Sequence, residues 1–302
     1  MIFSGISEHY FQMNRPELAF LIPFAPRRAK AKWDAACAQL RQTLRSIQNS
    51  VDGNFCAVVV GNDAPDFDVV LDKRFYFLSL ERTQPLHPNP VVGGVLDKMT
   101  KVSAAWEHAK TKWNPRYVMK LDADDFISSR LVGWLAQNGG EVGYLVSHGW
   151  LWETGARFFI QRTETLDRVC GSCLIIRSDL VECTGPFRTE TEGVVLSEEN
   201  SRFALADQYS LVPGSGISTL LANDSHQRFS AQFAFLGHKL TTVPFPAVIY
   251  RMGNADSNTW AGGNYSMRQH FHSFRMLVGS LRRTRLVTPR VRKEFMLEAD
   301  GK

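Results

Sequence analysis

The feature that most limits the fold of this chain is a series of short, almost wholly apolar runs separated by segments with helical periodicity. The runs in the first part of the chain are Leu18–Phe24, Phe55–Asp63, Phe75–Glu81 and Tyr117–Leu121. Apolar residues recur at helical spacing before the second and fourth runs, at Trp33, Ala36, Cys37, Leu40, Leu44 and Ile47, and at Leu96, Met99, Val102, Ala105 and Ala109. Apolar strands joined by helices predict a mostly parallel sheet covered on both faces.

Polar side chains end or follow three of these runs. In chain order they are Arg27 and Arg28, Asn62 and Asp63, and Asp122, Asp124 and Asp125. Because open α/β sheets bind ligands beyond the carboxyl ends of their strands, we expect these side chains to lie at one binding site. The three carboxylates lie within YVMKLDADDFISS and repel one another, so a positive partner is expected, such as a divalent cation carrying phosphates. A solvated acidic turn is the alternative.

The second half of the chain is less regular. EVGYLVSHGWLWE and ARFFIQR alternate as antiparallel strands do, and Cys170–Leu180 predicts a strand that enters a helix. Residues 185–217 are polar and weakly periodic, which predicts a mobile loop over a site. The segment from Asn223 to Arg251 predicts a capped helix that stops at Gly237, followed by two short strands.

Composition sets broad limits. A chain of 302 residues, 44% hydrophobic and 22% charged, suits one large α/β domain with an appendage or two modest domains. No apolar run is long enough to span a bilayer, and residues 1–15, which lack a secretory pattern, are expected to be a flexible leader. Five cysteines without regular spacing favour a reducing cytoplasm.

The net charge of +5 is concentrated near the end of the chain. Arg282–Lys293 contains six basic residues and no acidic one. Such a segment is typical of a solvated tail or of peripheral contact with an anionic membrane. Nucleic acid is disfavoured as a partner because no recognition-helix, zinc-finger or RNP pattern accompanies the charge.

The order of these parts resembles the GT-A glycosyltransferases, particularly the family-2-like group. LDADD resembles the central D-x-D motif, VVVGND the acidic residue closing the second strand, and SHQRFSAQFAFLGHKLTTVPFPAVIYR the late helix, Gly turn and Tyr-Arg ending. The resemblance covers Leu18–Asn258. It implies a Rossmann-like central sheet flanked by helices, with a nucleotide-sugar-binding half over 16–130, a smaller mixed acceptor-binding half over 131–258 and a C-terminal helical basic tail over 259–302.

That resemblance implies a metal-dependent transferase that moves a sugar from a UDP- or GDP-type donor to a hydroxyl of a glycan or lipid-linked acceptor. The setting would be cell-surface polysaccharide synthesis, in the cytoplasm or at the inner face of the membrane. Asp124 would bind Mn²⁺ or Mg²⁺, with Asp122 as a second ligand or a ribose contact and Asp125 in support. Asp63 would contact the nucleoside, and Arg27 the phosphate or base.

One position departs from the resemblance. Ser225–His226 stands where many members of the group have Glu-Asp, whose Asp is the catalytic base. His226 or Asp224 would then act as base, or the stereochemical course would differ, or the chain would be inactive; His226 could instead be a metal ligand. A non-catalytic carbohydrate- or nucleotide-binding module is therefore the main alternative. A D-x-D phosphatase is disfavoured because its motif follows the first strand, and a nucleotidyltransferase because APRRAK has no glycine.

Three further features have ordinary structural interpretations. We expect Lys98 and Lys101 to be surface lysines, and Trp150 and Trp152 to pack in the core rather than stack on a sugar. Cys170 and Cys173 form a C-x-x-C inside a strand-like run, which favours packed thiols over a zinc or redox site.

Overall fold

The fold consists of two β-sheets with helices packed against them. The structure is a computed structural model and describes residues 15–29, 32–81, 90–181, 229–235, 237–252 and 282–297. The strands are β1 (Leu18–Pro23), β2 (Phe55–Gly61), β3 (Phe75–Ser79), β4 (Tyr117–Lys120), β5 (Phe126–Ile127), β6 (Gly143–Leu145), β7 (Gly149–Glu153), β8 (Phe158–Arg162), β9 (Leu174–Arg177), β10 (Thr241–Thr242), β11 (Val248–Met252) and β12 (Thr284–Leu286). The α-helices are α1 (Trp33–Gln48), α2 (Pro90–Trp113), α3 (Leu131–Asn138), α4 (Phe229–Phe235) and α5 (Pro289–Phe295).

The first sheet has seven strands in the order β10-β6-β9-β4-β1-β2-β3. Strands β3, β2, β1 and β4 are parallel to one another, with Leu18 opposite both Phe55 and Tyr117. Every residue of β2 is buried, as expected of a strand covered on both faces. The predicted apolar face of α1 is confirmed, because Ala36, Cys37, Leu40, Leu44 and Ile47 are all buried.

The remaining strands make the first sheet mixed rather than parallel throughout. β9 runs antiparallel to both β4 and β6, whereas β10 runs parallel to β6. The prediction of a mostly parallel sheet therefore holds for four of the six strand pairings, and β9 makes the two antiparallel ones. The chain builds β2 and β3 on one side of β1 and then places β4 on the other, so a topological switch point lies between β1 and β4. Crevices at such points are where open α/β sheets bind ligands.

The second sheet has the order β12-β8-β7-β11-β5. The predicted antiparallel pairing of β7 and β8 is confirmed, with Gly149 opposite Arg162. β11 runs parallel to β7 and antiparallel to β5, which follows the acidic turn directly. Trp152 packs with Phe126 and Phe159 in a buried cluster, and Trp150 packs against it, so both tryptophans belong to the core as expected.

The late helix and its stop agree with the sequence prediction. α4 ends shortly before Gly237, whose φ of +76° is a left-handed conformation that glycine adopts without a Cβ clash. β10 and β11 are the two short strands expected after it.

Each of the two sheets takes strands from both sides of residue 130, the expected boundary between the two halves. β5 belongs to the second sheet although it precedes that position, and β6, β9 and β10 extend the first sheet although they follow it. The leader prediction is wrong at its last residue, because the Arg15 guanidinium donates hydrogen bonds to the carbonyl of Pro115 and to Ser178 Oγ, each 2.9 Å long. The rest of the expected leader lies outside the described residues.

The described part of the C-terminal segment, residues 282–297, is only partly helical. The prediction of a helix holds for α5, whereas Thr284–Leu286 forms β12 and pairs with β8. Phe295 and Leu297 are buried in the same cluster as Trp152. Backbone pairing and apolar burial therefore hold Arg282–Lys293 on the second sheet, while most of its basic side chains are exposed to solvent. None of the helices in the described ranges is both long and apolar enough to cross a membrane.

Candidate functional site

The turn after β4 divides its carboxylates into one buried group and two partly exposed ones. Asp125 is fully buried, and Asp122 and Asp124 are partly exposed. The Asp125 carboxylate accepts hydrogen bonds from Ser172 Oγ at 2.7 Å and from the Arg251 backbone N–H at 3.2 Å. Asp125 therefore fixes the turn to β11 and to the segment before β9, and leaves the other two carboxylates facing outward.

Burial raises the pKa of Asp125 well above the usual range, and the charges of Asp124 and Asp122 raise it further. The adjacent Cys170 thiol lies 3.5 Å from the Asp125 carboxylate, and burial raises the pKa of that thiol as well. Cys170 and Cys173 are both buried free thiols. The expectation of packed cysteines is confirmed, since a buried protonated thiol is neither a good nucleophile nor a ready metal ligand.

Ser172 holds the acidic turn together and was not identified from the sequence. Its hydroxyl donates to Asp125 and accepts from the Asp122 backbone N–H at 2.9 Å. Ser172 and Asp122 are 50 residues apart in the chain. The only available signal was the small-residue segment CGSC before a predicted strand, and nothing in that pattern specifies a contact with the turn.

Lys98 provides the positive partner that the acidic turn was expected to need. Its Nζ lies 2.9 Å from Asp122 Oδ1, and the two side chains are only 24% and 22% exposed. The expectation of surface lysines on α2 is therefore wrong. Lys101 is also buried, because its Nζ donates to the Phe24 carbonyl at 2.8 Å and to Asp97 at 2.7 Å. Both lysines face the carboxyl end of the first sheet rather than solvent.

The donor chemistry of the turn fits a hard divalent cation shared with phosphate oxygens. Asp122 and Asp124 offer carboxylate oxygens, and Gly171 lies close, since a Cβ there would be 3.1 Å from Asp122 Oδ2. No group of three or more His, Cys, Asp or Glu side chains in the described part of the chain is arranged to hold a metal by itself. Mg²⁺ bound through a nucleotide needs only one or two protein carboxylates, so the two aspartates meet that requirement.

A cavity lies at the carboxyl ends of β1, β2 and β3. Its volume is about 590 Å³, and it is lined by Pro26, Arg27, Asn62, Asp63, Ser79, Leu80 and Glu81. The Arg27 backbone N–H donates to Asp63 Oδ2 at 2.8 Å. The structure thus brings together Arg27 and Asp63, which the sequence predicted on separate strand ends. Arg28 lies in the same short 3₁₀ turn, Arg27–Ala29.

Asn62 presents an unused acceptor beside this cavity. Its Nδ2 donates to the Leu80 carbonyl at 2.8 Å, which fixes the orientation of the amide. No hydrogen-bond donor among the described residues reaches its buried Oδ1. Because a buried acceptor without a donor is costly, Asn62 Oδ1 is suited to receive a hydrogen bond from a bound molecule. The sequence placed Asn62 at this strand end but did not distinguish it from ordinary turn chemistry.

The two candidate bases, Asp224 and His226, lie outside the described residues. Ser225 lies outside them too, as do residues 185–217, which were expected to form a loop over the site. The described α4 begins three residues after His226. The roles of His226 and Asp224 therefore stay predictions.

Comparison with known proteins finds distant structural likeness but no sequence relative. No protein-family model matches the chain, and no curated protein matches it. Among solved structures it is similar to the crystal structure of residues 1–349 of S. aureus TarS, a wall teichoic acid glycosyltransferase, with a TM-score of 0.42 and 12% identity. The match covers 80% of this chain and 61% of that one, so this chain spans less than two thirds of its neighbour. Such a distant likeness establishes no function.

Proposed function

We propose that the chain is a glycosyltransferase that uses a nucleotide-sugar donor. The observation that supports this most strongly is the meeting of two features at one edge of the first sheet. The cavity beside Asn62 and Asp63 follows β2, and the turn with Asp122 and Lys98 follows β4, on either side of β1. A nucleoside diphosphate would match both features. Its base carries hydrogen-bond donors suited to the cavity, and its diphosphate is negatively charged, as a partner of Lys98 and a metal ion would be.

In this proposal the nucleoside occupies the cavity of about 590 Å³. Asn62 Oδ1 accepts a hydrogen bond from a ring N–H, and Asp63 accepts from a further donor of the base or ribose. Uracil and guanine both carry such a ring N–H, so UDP- and GDP-type donors are the candidates. Arg27, whose backbone N–H orients Asp63, has an exposed side chain that can reach a phosphate or the base.

The acidic turn and Lys98 would bind the diphosphate. Asp124 and Asp122 would hold Mn²⁺ or Mg²⁺, which when bound supplies positive charge to the departing diphosphate. Lys98 keeps an ammonium beside Asp122 and adds a second positive charge near the phosphates. Asp125 and Ser172 hold the turn in place through hydrogen bonds. The partly exposed carboxylates of Asp122 and Asp124 would therefore be in position before a ligand binds.

Transfer also needs a base that takes the proton from the acceptor hydroxyl. We assign this role to His226 or Asp224, with binding of the metal by His226 as the alternative role. The acceptor would be a hydroxyl of a glycan or of a lipid-linked sugar, as in the synthesis of cell-surface polysaccharide.

Donor hydrolysis assays test the proposal. Purified protein is incubated with a panel of UDP- and GDP-sugars, with Mn²⁺, Mg²⁺ or EDTA, and released nucleoside diphosphate is measured. We expect metal-dependent release from at least one donor. Nucleotide binding by calorimetry without release from any donor or transfer to any acceptor would support the non-catalytic module instead. Absence of both binding and release would refute the proposal.

A further inference from the structure

The outer edge of the second sheet carries an exposed apolar pair. Phe158 on β8 and Leu286 on β12 are register partners across the antiparallel ladder, and they are 43% and 63% exposed. Residues that are directly opposite in such a ladder point to the same face, so their side chains form one apolar patch. They are two of only a few large apolar side chains that are exposed in the described residues.

Arginines surround this pair. Arg282, Arg283 and Arg285 lie within four residues of Leu286, and Arg157 directly precedes Phe158. All four are exposed, and the Val287 backbone N–H donates to the Arg157 carbonyl at 3.0 Å, which joins the two strands at this point. The acidic residue nearest in the hairpin is Glu153, which is partly buried. The edge therefore combines concentrated positive charge with an exposed apolar pair.

The segment that carries most of these arginines is firmly attached to the rest of the protein. Glu294, just after them, accepts hydrogen bonds from Ser128 Oγ and from Arg130 Nε, the latter at 2.9 Å. The Asn49 side chain at the end of α1 donates to the Lys293 carbonyl at 2.9 Å. Phe295 and Leu297 are buried. These contacts hold the basic edge in a fixed relation to the segment that follows the acidic turn.

We infer that this edge, formed by Phe158, Leu286, Arg157, Arg282, Arg283 and Arg285, binds the surface of an anionic lipid membrane. Arginines are attracted electrostatically to an anionic leaflet, and apolar side chains beside them can enter the boundary between headgroups and acyl chains. A second copy of the chain fits this edge poorly, because pairing β12 with itself would oppose arginine to arginine. The inference does not depend on the reaction at the site.

Sedimentation with vesicles tests the inference on the full chain. We expect binding to phosphatidylcholine vesicles that contain phosphatidylglycerol, little binding to phosphatidylcholine alone, and weaker binding as NaCl is raised. A variant with Arg282→Gln and Arg283→Gln should bind about 10–30-fold more weakly, since each basic side chain near the surface contributes on the order of 1 kcal/mol. The matched control is Lys73→Gln with Lys239→Gln, which removes two exposed lysines elsewhere.

The apolar pair has its own test. Leu286→Ser should weaken vesicle binding, whereas Val51→Ser, at a residue that is 83% exposed, should not. In a Phe158→Trp variant, we expect the added tryptophan fluorescence to shift to shorter wavelength with anionic vesicles only. Circular dichroism and thermal melting check that each variant is folded.

Three results would overturn the inference. One is equal loss of binding in the lysine control, which would indicate a general charge effect. Another is unchanged binding in both the arginine variant and Leu286→Ser. The third is tight binding of heparin or DNA that depends on the same arginines while vesicles fail to bind, which would assign the edge to an acidic polymer. Because donor hydrolysis needs no vesicles, failure here leaves the proposed reaction intact.

Discussion

The ammonium of Lys98, on α2, lies 2.9 Å from Oδ1 of Asp122, which follows β4. Both side chains are mostly buried, so the lysine compensates a carboxylate that would otherwise face two further carboxylates in the same turn. In the proposed function, the same ammonium would donate to a phosphate oxygen of a bound diphosphate. The pair would then serve binding as well as holding the turn.

Replacing Lys98 should separate these roles. We expect Lys98→Gln to weaken binding of UDP or GDP by about 10–100-fold, because hydrogen bonds to charged groups contribute on the order of 1.5–3 kcal/mol. Binding of the nucleoside alone should be unchanged, since it lacks phosphates. Calorimetry measures both affinities, with Lys73→Gln as the control. Equal affinity for the diphosphate in Lys98→Gln and wild type would show that Lys98 serves the turn only.

Asp124→Asn should abolish turnover and metal-dependent binding of the nucleoside diphosphate. Its melting temperature should be unchanged or higher, because the change relieves repulsion within the acidic turn. Activity assays with graded Mn²⁺ and thermal melting give the two readings. Asp66→Asn, which removes an exposed carboxylate 3.8 Å from Arg41, is the control. Full activity in Asp124→Asn would rule out this residue as the metal ligand.

Asn62→Ala removes a side chain that lines the cavity, and with it the buried acceptor Oδ1. We expect affinity for the nucleoside to fall by about 2–10-fold, the range of a hydrogen bond with a net contribution of 0.5–1.5 kcal/mol. The effect should be the same for nucleoside and nucleoside diphosphate, in contrast to Lys98→Gln. Ser79→Ala, in the same cavity, is the control. If inorganic pyrophosphate binding fell while nucleoside binding did not, the base would not lie beside Asn62.

Ser172→Ala should destabilise the protein by about 1–3 kcal/mol, because it removes the hydrogen bond from the Asp122 backbone N–H and one of the hydrogen bonds that the buried Asp125 carboxylate accepts. Urea denaturation followed by circular dichroism measures the loss. Ser230→Ala, at an exposed position of α4, should be close to neutral. Equal stability of the two variants would contradict the central place of Ser172 in the turn.

His108 should make the fold sensitive to mild acid. Its ring stacks on Tyr76 with centroids 3.9 Å apart, and burial, together with the Lys112 charge, lowers the pKa of His108 below its usual value. The unfolded chain then binds more protons near pH 6, so the free energy of unfolding falls as the pH drops through the ordinary histidine pKa of about 6.5.

His108→Phe keeps an aromatic ring on Tyr76 and removes the titration. The decrease in melting temperature between pH 7.5 and 5.5 should be smaller in this variant than in wild type. Parallel decreases in both proteins would show that His108 does not contribute to the acid sensitivity.

Local pattern was sufficient to predict most of the elements. The buried face of α1, the apolar strands β1 and β2 and the glycine stop after α4 depend on the spacing of residues close together in the chain, and spacing of that kind can be read directly. The meeting of Arg27 with Asp63 was also predictable, because carboxyl ends of parallel strands share one edge of a sheet.

Only the tertiary structure decided which side chains complete the site. Lys98 looks like any lysine on an amphipathic helix, and Ser172 like any serine before a strand, until folding places each against Asp122. Likewise, the sequence of Arg282–Lys293 alone is typical of a solvated tail or of a membrane contact. Only the fold shows that β12 pairs with β8 and that Phe295 is buried. These partners are remote in the chain, and a pattern within one segment contains no information about which distant segment will pack against it.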